Sequence, residues 1–210
     1  EGVEYSLDSW GGYFWIHTNQ HAKDFKISRC KHTNINKWED YIPAKDQVLI
    51  GEFVLLNNWM IRSERVDAMP KLFIRDLKTN KEEELKISDE EIISPSMSLL
   101  QKDRNTDVIR VSYESPKTPS RTYEYNVATK EKKLVKELEI PSGYNRDEYI
   151  VKRINCMSHD GRKIPITITF HKNTKLDGSA NLLLYGYGSY GHTISPSFST
   201  TRLSLIDRNI

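Results

Sequence analysis

From residue 11 to residue 138 the apolar side chains return mostly at every second position. GGYFWIHTN (11–19), DFKISRC (24–30), QVLIGEFVLL (47–56), WMIRSERV (59–66) and KLFIRDL (71–77) all read this way. EEELKI (82–87), DVIRVSYES (107–115), SRTYEYNV (120–127) and EKKLVKEL (131–138) continue the series. Alternation sends successive side chains to opposite faces, so each stretch predicts a strand with one face buried. Asn, Gly, Pro and Lys-Thr-Asn punctuation between them predicts short turns and an all-β region.

The strands repeat as a set. LFIRDLKTNKEEELKI resembles TYEYNVATKEKKLVKEL, with Thr79 and Thr129 in corresponding turns 50 residues apart. Trp15-Ile16, Met60-Ile61 and Ile109 to Val111 mark the preceding strands at a spacing of 45 to 49 residues. Four strands per repeat at that period is the arithmetic of a β-propeller blade. Two or three blades cannot close a ring, so further blades are expected upstream. The opening EGVEYSLD, with neither Met nor a basic-then-apolar leader, fits a chain internal to something longer.

The pattern changes near residue 140. IPSGYNRDEY (140–149) predicts a polar connector. Ile150 to Met157 and Ile164 to Phe170 predict a hairpin about the turn His159-Asp160-Gly161. Leu182 to Tyr185 predicts a buried strand, and 196–208 a helix with Ser197 at its cap and Phe198, Leu203, Leu205 and Ile206 on one face. Hairpin, strand and helix together predict the opening of an α/β domain.

Lys and Arg total 31 against 29 Asp and Glu, a net charge of +2 with the signs interleaved. That gives no electrostatic case for nucleic acid or an acidic membrane, and no apolar run reaches 18 residues. Two widely spaced cysteines, Cys30 and Cys156, argue against a disulfide framework and for a reducing cytoplasm.

LLLYGYGSYG (182–191) carries G-x-G-x-x-G at Gly186, Gly188 and Gly191. A dinucleotide site needs a helix to open at the third glycine. Here Pro196 delays the helix, and no strand follows to carry the acidic ribose ligand, so no cofactor is expected. The same stretch, followed by FS-x-x-RLSL-x-DR (198–208), resembles the oligopeptidase B branch of the prolyl oligopeptidase family of serine peptidases. SHDGRKIPITITF (158–170), LFIRDL and TP-x-x-x-YEYN-x-x-T (118–129) also resemble that family, more weakly.

The resemblance implies a mixed fold: C-terminal blades of a β-propeller over 1–139, a connector over 140–149, and the truncated start of an α/β-hydrolase domain over 150–210. It implies an acyl-enzyme mechanism on short peptides, cleaved after Arg or Lys, with the propeller limiting substrate size. It assigns Tyr187, the second Tyr of Y-G-Y-G, as an oxyanion-hole hydroxyl. His192, Ser195 and Ser197 are weaker substrate-binding candidates. Ser195 and Ser197 stand where many relatives carry acidic side chains, which argues against a dibasic preference. No serine sits in G-x-S-x-G, so the chain alone is expected to be inactive.

Other constellations are weaker. His17 and His21 are four apart, but in a strand-then-turn context rather than a helix. His159 and Asp160 are neighbours in a turn and point apart. Asp147 and Glu148 are expected to solvate Arg146 or to pair across the domain seam, and Trp10, Trp15, Trp38 and Trp59 to pack between blades. The rival class is a non-catalytic remnant or β-rich interaction module.

Overall fold

A computed structural model of the chain describes residues 2–100 and 102–210. The chain divides into two compact units, Glu1–Leu85 with Leu99–Val108, and Lys86–Ser98 with Ile109–Ile210.

The first unit holds two four-stranded antiparallel sheets. One runs β1 (Tyr5–Trp10), β2 (Tyr13–Thr18), β3 (Lys26–Lys31) and β4 (Glu39–Ile42), each paired to the next. The other runs β5 (Val48–Leu56), β6 (Trp59–Val66), β7 (Met69–Asp76) and β8 (Glu82–Glu84). Trp15, Ile27, Tyr41 and Ile42 from the first sheet pack against Ile50, Leu55 and Met60 from the second. The Trp10 indole donates to the Asn57 carbonyl at the β5–β6 turn, a second tie between the sheets.

The hairpin turns follow the strand twist. Gly11 and Gly12 join β1 to β2 with φ of 60° and 82°, and Asp67 and Ala68 join β6 to β7 with φ of 49° and 60°. Two consecutive left-handed residues match the right-handed twist of the strands, and only glycine takes that conformation without cost.

The second sheet carries a buried ion cluster. Arg62 on β6 has no exposed surface. Its guanidinium donates to Glu64 at 2.6 and 2.8 Å and to Glu82 at 2.6 and 2.8 Å. Lys45 reaches Glu64 at 2.7 Å, and Arg75 reaches Glu82 at 3.3 Å. Burial alone would raise the Glu82 pKa, but the Arg62 hydrogen bonds and charge override it and hold the carboxyl below its usual range.

In the second unit, β9 (Ser94–Ser98), β10 (Val108–Ser115), β11 (Thr118–Asn126) and β12 (Lys132–Glu137) form a third antiparallel sheet. Along β10 every second residue is buried, with Ile109, Val111 and Tyr113 inside. The 50-residue repeat is visible in its turns. Asp76 accepts from the backbone of Lys78 and Thr79, and Asn126 likewise from Ala128 and Thr129. Asn80 and Lys130 then take the same left-handed conformation, at 60° and 64°.

Beyond the third sheet, β13 (Tyr149–Met157) and β14 (Lys163–His171) form the expected hairpin, and α1 spans Thr200–Ile206. Both cysteines are free, Cys30 buried in β3 and Cys156 exposed on β13.

The expected opening of an α/β-hydrolase domain is not what the chain forms. The structure is nearly all sheet, 47 % strand and 5 % helix, and every described strand pair is antiparallel. The strand expected at 182–185 is absent: Leu182, Leu183, Leu184 and Tyr185 are 60–80 % exposed and irregular. A strand exists only with a partner ladder, and no described strand pairs with this run. The helix is seven residues, capped by Ser199 rather than Ser197. No helix among the described residues is long and apolar enough to cross a membrane.

Candidate functional site

Tyr187 lies in the irregular segment between β14 and α1. Its side chain is half-exposed, and its hydroxyl makes no hydrogen bond with any described residue. Gly186 and Gly188 flank it with open space where a Cβ would stand. The chain then turns: the His192 amide donates to the Ser189 carbonyl, and Tyr190 and Gly191 take φ of 55° and 69°. That turn brings the His192 ring to 6.3 Å from the Tyr187 ring. Tyr187 and His192 are thus neighbours. A phenol donor and an imidazole on one exposed loop suit hydrogen bonding to a carbonyl or to developing negative charge.

The two serine candidates part company. Ser197 is engaged by Arg202, whose guanidinium donates to its hydroxyl at 2.7 Å and its carbonyl at 2.6 Å. Ser195 has no hydrogen-bond partner among the described residues. No hydrogen bond joins either serine to Tyr187 or His192.

The segment carrying these residues is anchored through the connector. The Tyr144 hydroxyl donates to the Lys117 carbonyl in the β10–β11 turn. Its ring stacks on Tyr149 at 5.5 Å and meets Phe198 edge-on at 5.4 Å. Tyr149 donates to Asp207, just past α1, at 2.7 Å. Burial, with the Asp207 carboxylate beside it, pushes the Tyr149 phenol up to about 12. Leu203 of α1 is buried. The sequence reading had Phe198 and Leu203 on the inner face and missed the two connector tyrosines, for which spacing gave no signal.

The remaining candidates take structural positions. His17 Nε2 donates to the Ile50 carbonyl, and its ring stacks on Phe25. His21 sits in a left-handed turn after β2. Asp160 accepts from the Ser158 hydroxyl, and Glu148 pairs with Lys172 and His171. Trp15 lies in the inter-sheet core, while Trp38 is half-exposed and donates to Ile35. One pair was missed: Ser9 Oγ lies 3.1 Å from His32 Nε2. Both are exposed, and among the described residues no carboxylate holds the other imidazole nitrogen, so the pair lacks the orienting part of a triad.

Residues 1–138 match the family model for the prolyl oligopeptidase N-terminal β-propeller domain. The chain belongs to the prolyl oligopeptidase family of serine peptidases. It is 35 % identical to a dipeptidyl aminopeptidase BI of Pseudoxanthomonas mexicana over 99 % of its length and 29 % of that protein's. It is 24 % identical to protease 2 of Moraxella lacunata over 100 % of its own length and 30 % of the relative's. Among solved structures it superposes on oligopeptidase B of Trypanosoma brucei, with covalently bound antipain, at a TM-score of 0.89 and 27 % identity. That match covers 99 % of this chain and 31 % of the other. The chain therefore spans about 30 % of the relatives it matches.

Proposed function

We propose that the chain is part of a serine oligopeptidase that hydrolyses short peptides after Arg or Lys through an acyl-enzyme, with its sheets restricting substrate size. The nucleophile and its base lie outside residues 1–210 in this reading, because no serine here stands in G-x-S-x-G. Residues 1–210 alone are then inactive. Tyr187 donates its hydroxyl to the oxyanion of the tetrahedral intermediate. The observation that carries this role is a half-exposed phenol without a partner on a glycine-flanked loop. Such a donor is free to meet a charge that exists only during reaction. His192, beside the Tyr187 ring, and Ser195, with an unpartnered hydroxyl, contact the bound peptide.

The test is Tyr187→Phe in the intact enzyme. The expected result is a loss of about 10²–10³ in kcat with KM little changed, the usual size for one oxyanion donor. An unchanged kcat removes Tyr187 from the mechanism.

A second reading follows from the name of the 35 %-identical relative, a dipeptidyl aminopeptidase. On that reading the enzyme releases dipeptides from a free N-terminus. Mass analysis of products from one peptide, with its N-terminus free or acetylated, separates the two. Cleavage after an internal Arg in both forms supports the first reading, and loss of cleavage on acetylation supports the second.

A further inference from the structure

The second unit carries a half-open pocket of about 310 Å³ lined by the segment after β8, strands β10 to β12 and the connector. At about 30 Å³ per water this is room for roughly ten waters, the size of an amino acid or dipeptide. Its walls are charged, and the charges are unevenly satisfied. Arg121 donates to Glu137 at 2.7 Å. Glu90 accepts from the hydroxyls of Ser115 and Thr118 at 2.7 and 2.6 Å.

Three other groups on the same wall are not committed. Asp89 has no partner among the described residues. Lys132 donates one hydrogen to the Ile87 carbonyl at 3.0 Å and meets no carboxylate. Arg146 has only distant contacts, 3.7 Å to Glu90 and 3.8 Å to Asp147. One free carboxylate and two under-used cations around a space of this size call for a ligand carrying both signs. The Tyr123 ring beside Lys132 supplies an apolar wall.

We propose that this pocket binds a small zwitterion, a free amino acid or short peptide, with its ammonium on Asp89 and its carboxylate on Lys132 and Arg146. The site is separate from the Tyr187 loop in sequence, and the inference stands on the charges alone, independent of the peptidase reading.

The experiment is isothermal titration of the intact protein with glycyl-L-leucine as probe. Saturable binding with a Kd of about 1 mM is expected for a ligand of this size. Glycyl-L-leucinamide lacks the carboxylate and N-acetylglycyl-L-leucine lacks the ammonium; each should bind about tenfold more weakly. Asp89→Asn should weaken glycyl-L-leucine about tenfold and leave the N-acetyl probe unchanged. Lys132→Gln should weaken glycyl-L-leucine and leave the amide unchanged. Both residues are exposed, and an unchanged melting temperature shows that each variant keeps its fold. Absence of binding up to about 10 mM overturns the proposal. So do equal affinities for the three probes, or variants that weaken all three alike.

Discussion

Arg62 and the run Leu182 to Tyr185 are opposites. Arg62 is a cation with no exposed surface, held by two carboxylates. Leu182 to Leu184 are three leucines standing 60–80 % in solvent. Polarity alone would have sorted them the other way round. What decides burial is the partner. Arg62 lies on β6 between two paired strands, and its face is completed by Glu64 on the same strand and Glu82 on β8. The leucine run has the composition of a strand but pairs with no strand among the described residues. An apolar pattern specifies a strand only where a second strand closes it, and a charge can be interior where its counter-charges come from the same sheet.

That contrast can be broken at several points. Arg62→Met keeps the volume but strands Glu64, which is 3 % exposed, with Lys45 as its remaining cation. Denaturant unfolding should show a loss of about 3–5 kcal/mol; a loss under about 1 kcal/mol would mean that Lys45 alone satisfies Glu64. Ile61→Ala, at a side chain with no exposed surface, should lose about 2–5 kcal/mol, whereas Leu183→Ala should change stability by less than about 0.5 kcal/mol. Equal effects would show that the leucine run is packed.

Acid sharpens the comparison. Glu82 is held below its ordinary value of 4.5 in the folded chain. Its contribution is therefore complete above that value and is lost as pH falls through the depressed folded one. Glu82→Gln should flatten the acid limb of the stability curve; superimposable acid limbs would remove the ion cluster from acid unfolding. The smallest expected effect is at the β6–β7 turn. Ala68 is left-handed at 60°, so Ala68→Gly should raise stability by about 0.5 kcal/mol, read as a small rise in Tm.

Much of the fold was legible because β2, β3, β5 to β7, β10 and β11 carry alternation that the packed faces use; β12 was legible too, although its residues are all exposed. Three strands were not. β4 is only four residues, β9 is the polar SPSMS, and β1 is exposed along most of its length. Neither β4 nor β9 carries an apolar period to read, and the Val3-Tyr5-Leu7 alternation leading into β1 stands in solvent. Arg62 and Glu64 had a readable sign, opposite charges two apart on a strand and so on one face. Tyr187 had none apart from family resemblance, since it sits on an irregular loop with no period to read. The Asp89, Lys132 and Arg146 wall is drawn from segments spread over nearly sixty residues, which no local pattern reports.

The two cysteines give the molecule a built-in clock and counter. Cys156 stands in solvent on the hairpin, while Cys30 is sealed inside the first sheet. A thiol reagent should label the first at once and the second only when that sheet opens. The first equivalent then counts chains, and the rate of the second times their opening.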